Sequence, residues 1–192
     1  FRPEDGALWV STGEAPVSQN TFVPFSLARE GHAPELGELN EHINPEPAAE
    51  EAFAAYRDAY LSYLDEGDLA QARTHMGRAL ELQPEQALYH CVAALLSIQA
   101  NDIQGALSAL DKALVIGHVD SERVAAFYVW RARAYDLAGR RSEALADYRA
   151  ALDRPSDPPM RRAAQRGLAK PYGRRKRPRF AIDFTFADVM SP

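Results

Sequence analysis

Apolar residues recur at three- and four-residue steps along the middle of this chain, which is the periodicity of a helix with one buried face. Residues 48–66 place large residues on one such stripe, namely Phe53, Tyr56, Tyr60, Tyr63 and Leu64. Gly67 and Asp68 interrupt the pattern, and a second stripe follows over residues 69–83, before Pro84. We therefore predict two helices joined by a tight turn.

The same pair of stripes returns twice, over residues 87–114 and 124–152. In the second helix of each pair, 34 residues separate Ala72 from Ala106, and 38 residues separate Ala106 from Ala144. The four additional residues fall around residues 117–122, where we expect them to lengthen the loop between two repeats. A helix pair of this size cannot bury its apolar face alone, so the pairs are expected to stack into an elongated superhelix.

These residues resemble the tetratricopeptide repeat (TPR) family over residues 53–158. The second helices share the Ala-x3-apolar-x2-Ala spacing of that family, with Met76, Leu110 and Tyr148 as the apolar members. The residue at which paired helices cross is Tyr60, Ala94 or Ala132. Tyr60 is larger than the Gly or Ala that the family has there. Small residues at this crossing let two helix backbones approach to about 8–10 Å.

The resemblance implies a mainly α fold: a TPR-like superhelix of three repeats, a capping helix, and short β segments at both termini. Residues 160–169 follow two prolines and are predicted to form the capping helix, with Arg161, Arg162 and Arg166 toward water. We divide the chain into an extended or β flank at 1–47, a helical array with its capping helix at 48–169, a basic linker at 170–179 and a β segment at 180–192.

The two flanks have a different pattern from the helical array. Residues 7–12 and 21–27 are rich in β-branched and aromatic residues, and residues 179–189 alternate apolar and polar positions. The apolar members of that alternation are Phe180, Ile182, Phe184 and Phe186. Each run predicts a half-buried strand. Because two or three strands need further apolar cover, the flanks must pack on each other and the array, or on a sheet outside this chain.

Residues 7–27 also resemble the closing segment of N-terminal-nucleophile hydrolases of the acyltransferase and carcinine-hydrolase type. This second resemblance contains no catalytic position. It implies that the chain is the accessory C-terminal region of an autoproteolytic amidohydrolase or acyltransferase whose nucleophile lies elsewhere. The sequence starts at Phe1, and we expect it to be a piece of a longer polypeptide.

Composition and charge restrict the candidate chemistry. The formal net charge is −5, and residues 1–50 hold nine acidic side chains against two arginines. Cys91 is the one cysteine and no two of the five histidines have the spacing of a shared metal site, so we expect no disulfide, no metal and no cofactor. Cys91 is predicted to pack as a small apolar residue rather than to react with His90. No apolar run approaches the length of a membrane span, which is compatible with a cytoplasmic protein.

A basic run at residues 170–179 contains four arginines and two lysines. Such a run favours either a solvated linker or a contact with nucleic acid or anionic lipid that depends on salt. We prefer the linker, since Tyr172 is its one aromatic residue and base stacking needs more. Nucleic acid is therefore not an expected partner.

The first helix of each unit lines an inner groove in the TPR family, so the resemblance implies a mostly apolar groove here. The peptide-groove candidates are Arg57, Leu61, Leu64, Leu88, Leu95, Ile98, Val129, Arg133 and Asp136, and Ala54, Cys91 and Ala126 share their face. Family members that clamp a terminal carboxylate use Lys and Asn where this chain has Leu61, Val92 and Ala126. We therefore do not expect it to bind a chaperone tail.

An apolar groove on a protein surface is usually occupied. We expect either an extended peptide from a partner protein or a flank of this chain, such as the proline-rich residues 31–47. The function that we infer is a protein interaction scaffold acting through the groove, without catalysis by this chain. The alternative is the hydrolase accessory region, in which the repeats recruit or gate substrate and a linked or associated catalytic domain is the partner.

Overall fold

The structure, a computed structural model, describes residues 2–11, 22–39 and 47–173, together with Ile182 and Phe184. It divides into two compact units, residues 1–46 and residues 47–192. The first unit holds the predicted N-terminal strands, and the second holds the helical array.

The first unit is a small antiparallel sheet in which the strand order follows the chain. Its strands are β1 (Ala7–Ser11), β2 (Phe22–Ser26) and β3 (Gly31–His32). Ala7 pairs with Ser26, and Phe25 pairs with His32. The indole nitrogen of Trp9 donates a hydrogen bond of 3.0 Å to the carbonyl of Gly37, and this bond ties the segment after β3 to β1. The strands predicted over residues 7–12 and 21–27 are thus confirmed.

The second unit contains seven helices in its described residues. They are α1 (Pro47–Leu64), α2 (Leu69–Leu82), α3 (Ala87–Gln99), α4 (Ile103–Ile116), α5 (Ser121–Leu137), α6 (Arg141–Leu152) and α7 (Pro158–Ala169). The helices pair as α1 with α2, α3 with α4 and α5 with α6, and each pair also packs against the next. The predicted helix pairs of a TPR-like array are confirmed.

The turn inside each pair is built in the same way in all three repeats. Gly67, Asn101 and Gly139 hold positive φ angles of 69°, 64° and 77°. This left-handed conformation costs glycine little, and asparagine tolerates it better than most residues. In the first two turns an aspartate follows and caps the second helix, because the side chains of Asp68 and Asp102 each accept a hydrogen bond of 2.9 Å from a backbone N–H.

The spacing from Ala106 to Ala144 is four residues longer than that from Ala72 to Ala106. These four residues lengthen helix α5, so the prediction of a longer loop was wrong. Helix α5 has 17 residues, whereas α3 has 13. It begins at Ser121 because the Asp120 side chain accepts a hydrogen bond of 2.8 Å from the N–H of Glu122. Gly117, at a φ of 78°, already ends α4. An N-cap placed this early adds one turn to the start of α5.

Helix α7 covers the end of the array and packs on both α5 and α6. It begins two residues before the predicted start, at Pro158. Prolines fit the first turn of a helix because the N–H groups there have no partner within the helix. The Asp157 side chain caps it by accepting a hydrogen bond of 2.7 Å from the Met160 N–H. Its buried residues are small, namely Ala163, Ala164 and Gly167.

The core of the second unit follows the alanine seams that the repeat pattern predicts. All six seam alanines of the second helices are buried, namely Ala72, Ala79, Ala106, Ala113, Ala144 and Ala151. At the helix crossing, Ala94 and Ala132 are fully buried. In α1 the fully buried small residue is Ala59, one position before Tyr60. Tyr60 is therefore not part of this seam, and its ring lies against Phe184.

The predicted basic linker and C-terminal strand fall mainly on residues outside the described part of the chain. Of residues 170–192, the structure describes 170–173, Ile182 and Phe184. Ile182 and Phe184 are both buried in the main apolar cluster of the helical array.

Candidate peptide-binding groove

The candidate groove residues of α1 lie on an open face. Leu61 and Leu64 are 39% and 51% exposed, and the Arg57 side chain before them is exposed as well. The Arg57 guanidinium comes within 3.9 Å of the Asp58 carboxylate, which is a loose surface pair. Helix α1 thus presents two leucines and a cation to the solvent.

The candidates on α3 are in a different environment. Leu88, Leu95 and Ile98 are all buried, and so is their neighbour Cys91. All four belong to the same apolar cluster as Ile182 and Phe184. The structure therefore brings the α3 candidates together but leaves none of them open to the solvent.

Two of the three candidates on α5 contribute to internal packing and to a network around the end of the array. Val129 belongs to a second apolar cluster, which α5 forms with α6 and α7. The Asp136 carboxylate has no exposed surface and accepts hydrogen bonds from Arg141 at 2.9 Å and from the Tyr148 hydroxyl at 3.0 Å. Burial, together with the charge of Asp136, raises the pKa of Tyr148, which keeps this hydroxyl protonated as a donor.

The third α5 candidate, Arg133, holds the chain segment that follows α7. Its guanidinium lies 4.3 Å from the ring centroid of Trp130 and 5.0 Å from that of Tyr172. Burial lowers the pKa of Arg133, and contact with two aromatic faces compensates part of its lost hydration. The backbone N–H of Tyr172 also donates to Asp136 at 2.8 Å. Arg133 and Asp136 together fix the direction in which the chain leaves α7.

Phe184 reaches a set of tyrosines on α1 that sequence reasoning did not assign to a site. We call Tyr56, Tyr60 and Tyr63 the tyrosine pocket. The Phe184 ring centroid lies 5.4 Å from those of Tyr56 and Tyr60 and 6.2 Å from that of Tyr63. The alternation at residues 179–189 indicated a half-buried segment, but a one-dimensional pattern does not say which surface covers it.

The C-terminal segment, rather than the proline-rich flank that we named, supplies these contacts in the described structure. Residues 31–39 belong to the N-terminal unit, and residues 40–46 lie outside the described residues. That the groove candidates bind a partner protein stays a prediction.

His90 and Cys91 show packing roles rather than a reactive pair. The His90 ring is buried, and its Nε2 lies 2.7 Å from the Pro84 carbonyl oxygen. Since a carbonyl can only accept, Nε2 carries the proton and donates. Burial also lowers the pKa of His90, which favours this neutral form. Cys91 is buried, and as the one cysteine of the chain it forms no disulfide within it.

In the described part of the chain, no group of three or more His, Cys, Asp or Glu side chains is arranged to hold a metal ion. None of the helices there combines the length and the hydropathy that a membrane crossing requires.

Solved structures share this arrangement of helix pairs, whereas no protein-family model and no curated protein matches the sequence. The N-terminal domain of stress-induced protein-1 (STI-1) from C. elegans has a TM-score of 0.57 at 19% identity, over 65% of this chain and 99% of that domain. The Arabidopsis OM64 TPR domain has a TM-score of 0.54 at 22% identity, over 64% of this chain and 97% of that domain.

A third structure is the first TPR of Spaghetti (RPAP3), bound to the HSP90 peptide SRMEEVD. It has a TM-score of 0.53 at 17% identity, over 64% of this chain and 96% of that domain. None of the three is described as a hydrolase, and the resemblance of residues 7–27 to N-terminal-nucleophile enzymes stays a prediction. The stacked helix pairs, the buried alanine seams and these three comparisons agree, and the helical array has the tetratricopeptide-repeat fold.

Proposed function

We propose that this chain is a noncatalytic interaction scaffold, whose helical array binds an extended segment of a partner protein on the face that carries Arg57, Leu61 and Leu64. The observation that carries the proposal is the exposure of both leucines on one face of α1. A helix in a stacked array normally turns its apolar residues inward, so two exposed leucines three residues apart favour a surface that a partner covers.

The chemistry of this face favours an apolar segment over an acidic tail. The RPAP3 domain was solved with the peptide SRMEEVD, whose last four residues are two glutamates, a valine and an aspartate. At the places where TPR domains of that kind hold Lys and Asn, this chain has Leu61, Val92 and Ala126. Val92 is also buried. Without donors at these places, a carboxylate that docked here would lose its hydration without gaining hydrogen bonds, which is costly.

A displayed library of random peptides, selected on the full chain, tests the proposal. We expect enrichment of apolar sequences, and loss of their binding by at least about tenfold when Leu61→Glu puts a charge on the apolar face. The matched control is Val115→Glu, at a valine of α4 that is 87% exposed. Equal binding to both variants, or enrichment of peptides ending in acidic residues, would contradict the proposal.

A further inference from the structure

The tyrosine pocket binds Phe184 through contacts that are specific to an aromatic ring. Tyr60 meets Phe184 edge to face, with an interplanar angle of 77°. Tyr56 lies at 49° to the same ring and also stacks on Tyr89 of α3, at a centroid distance of 4.9 Å. Edge-to-face and offset contacts between aromatic rings add to the free energy of simple apolar burial. The pocket therefore prefers an aromatic side chain.

The repeat packing itself does not require this pocket. The residue equivalent to Tyr60 in the second and third repeats is alanine, and both Ala94 and Ala132 are fully buried at the helix crossing. In the first repeat Ala59 supplies the buried small residue, and Tyr60 has its ring against Phe184. The position that departs from the repeat pattern is thus one that contacts the C-terminal segment.

Ile182 adds a second buried side chain to the contact that Phe184 makes with the array. It is buried and lies in the same apolar cluster as Phe184 and the candidates of α3. Ile182 and Phe184 are two positions apart in the sequence, and both side chains are buried in that one cluster. A segment with an aliphatic residue, any residue and then an aromatic residue is therefore the pattern that this surface accepts.

The C-terminal segment is also held near the array at a second place. The Tyr172 N–H donates to Asp136 on α5, and the Tyr172 ring lies under Arg133. Eleven residues, 173–183, lie between Tyr172 and Phe184. A tether this short gives the segment an effective concentration on the order of millimolar at the pocket. A partner segment that uses the same contacts has to compete with it.

We propose that the chain's own Ile182-x-Phe184 is an internal ligand of the tyrosine pocket, and that the partner segment which displaces it carries the same aliphatic-x-aromatic pattern. This inference rests on the proposed scaffold function and gives its partner a second contact on α1, because Tyr56, Tyr60 and Tyr63 directly precede Arg57, Leu61 and Leu64 in the sequence. The occupied state is the resting state, and a partner binds when its affinity exceeds the advantage that the tether gives to residues 182–184.

The test compares binding of a labelled synthetic peptide, residues 178–188, to the full chain and to its Phe184→Ala variant. We expect the variant to bind the peptide at least about tenfold more tightly than the unaltered chain, because its pocket is empty. A peptide that carries Phe184→Ala itself should bind neither chain. The matched control protein is Val119→Ala, which removes a fully exposed valine and should behave as the unaltered chain does.

Equal affinity of the peptide for the unaltered chain and the Phe184→Ala chain would overturn the proposal, and so would absence of binding to a folded Phe184→Ala chain. If that variant does not fold, nuclear Overhauser effects between the rings of Phe184 and Tyr60 in the unaltered, monomeric chain give the answer. Their presence supports the internal ligand. Their absence, or their occurrence only between two copies, refutes it.

The outcomes also separate this inference from the scaffold function. In one outcome, peptide 178–188 binds the Phe184→Ala chain but random libraries enrich no peptide on either chain. This outcome supports the internal ligand and refutes the scaffold function. Library ligands that bind equally well to the unaltered chain and to its Tyr60→Ala variant support the scaffold and refute the tyrosine pocket as its recognition site.

Discussion

Single small residues decide how closely the helices of this array approach each other. The clearest case is Gly167 of α7, where an added Cβ would meet the ring of Tyr148 on α6. A methyl group added at Gly167 would overlap three atoms of that ring. Tyr148 is buried and held by its hydrogen bond to Asp136, so it has little freedom to move aside. Glycine is thus required at this helical position for space.

We predict that Gly167→Ala lowers the free energy of unfolding by about 1–3 kcal/mol, the usual cost of overpacking. Helix propensity alone would act in the opposite direction, since Ala is favoured over Gly by up to about 1 kcal/mol. The control is Gly77→Ala in α2, where an added methyl group meets no atom within 4 Å. That variant should be as stable as the parent chain or more stable. Urea unfolding measures both, and two equal shifts would contradict the prediction.

At the scale of helices, one arginine joins three elements. Arg131 of α5 makes two hydrogen bonds to Asp147 of α6, of 2.7 and 2.8 Å, and one of 2.7 Å to Asp111 of α4. The bidentate contact with Asp147 raises the pKa of Arg131. The Asp147 side chain is 8% exposed, whereas that of Asp111 is 54% exposed. The two ion pairs therefore differ in solvent screening.

We predict that Asp147→Ala lowers the free energy of unfolding by about 3 kcal/mol, because it leaves the largely buried Arg131 without its principal partner. Asp111→Ala should cost less than about 1 kcal/mol, as is typical of an ion pair exposed on one side. Chemical denaturation of the two variants at one salt concentration gives the comparison. Similar losses for both would show that burial of Asp147 does not set the strength of this contact.

The elements that the sequence predicted well are those with local signals. Alanine spacing and the turns at Gly67, Asn101 and Gly139 identified the helix pairs, since both depend on residues close together in the chain. The early start of α5 was missed because the repeat alignment placed residues 117–122 in a loop, although Asp120 followed by Ser and Glu is a helix-capping pattern. The burial of Asp136 was not predictable, because its partners lie outside its own helix: Arg141 and Tyr148 belong to α6, and Tyr172 follows α7.

At the scale of the whole helical unit, two apolar clusters share one helix. Phe127 and Trp130 of α5 belong to the main cluster with α1–α4, and Val129 and Ala132 of the same helix belong to the second cluster with α6 and α7. In a simple stack each repeat contacts only its neighbours, and the ends unfold first. Here Phe184 brings the C-terminal segment onto α1, so the first repeat gains a contact that sequence neighbours do not supply.

This arrangement predicts which helices lose stability when the C-terminal segment is mutated. Truncating a buried phenylalanine typically costs about 3–5 kcal/mol, and for Phe184→Ala we expect the loss in the opening free energy of α1, which carries the tyrosine pocket. Helices α6 and α7 should keep their hydrogen-exchange protection, because they belong to the second cluster. Leu168→Ala, at a partly buried leucine of that second cluster, should show the reverse pattern. Hydrogen exchange followed helix by helix measures both variants.

Two results would contradict the prediction. A uniform loss of protection in all seven helices would mean that the unit opens as one block. Unchanged protection of α1 in Phe184→Ala would mean that the aromatic contact contributes nothing to the stability of α1.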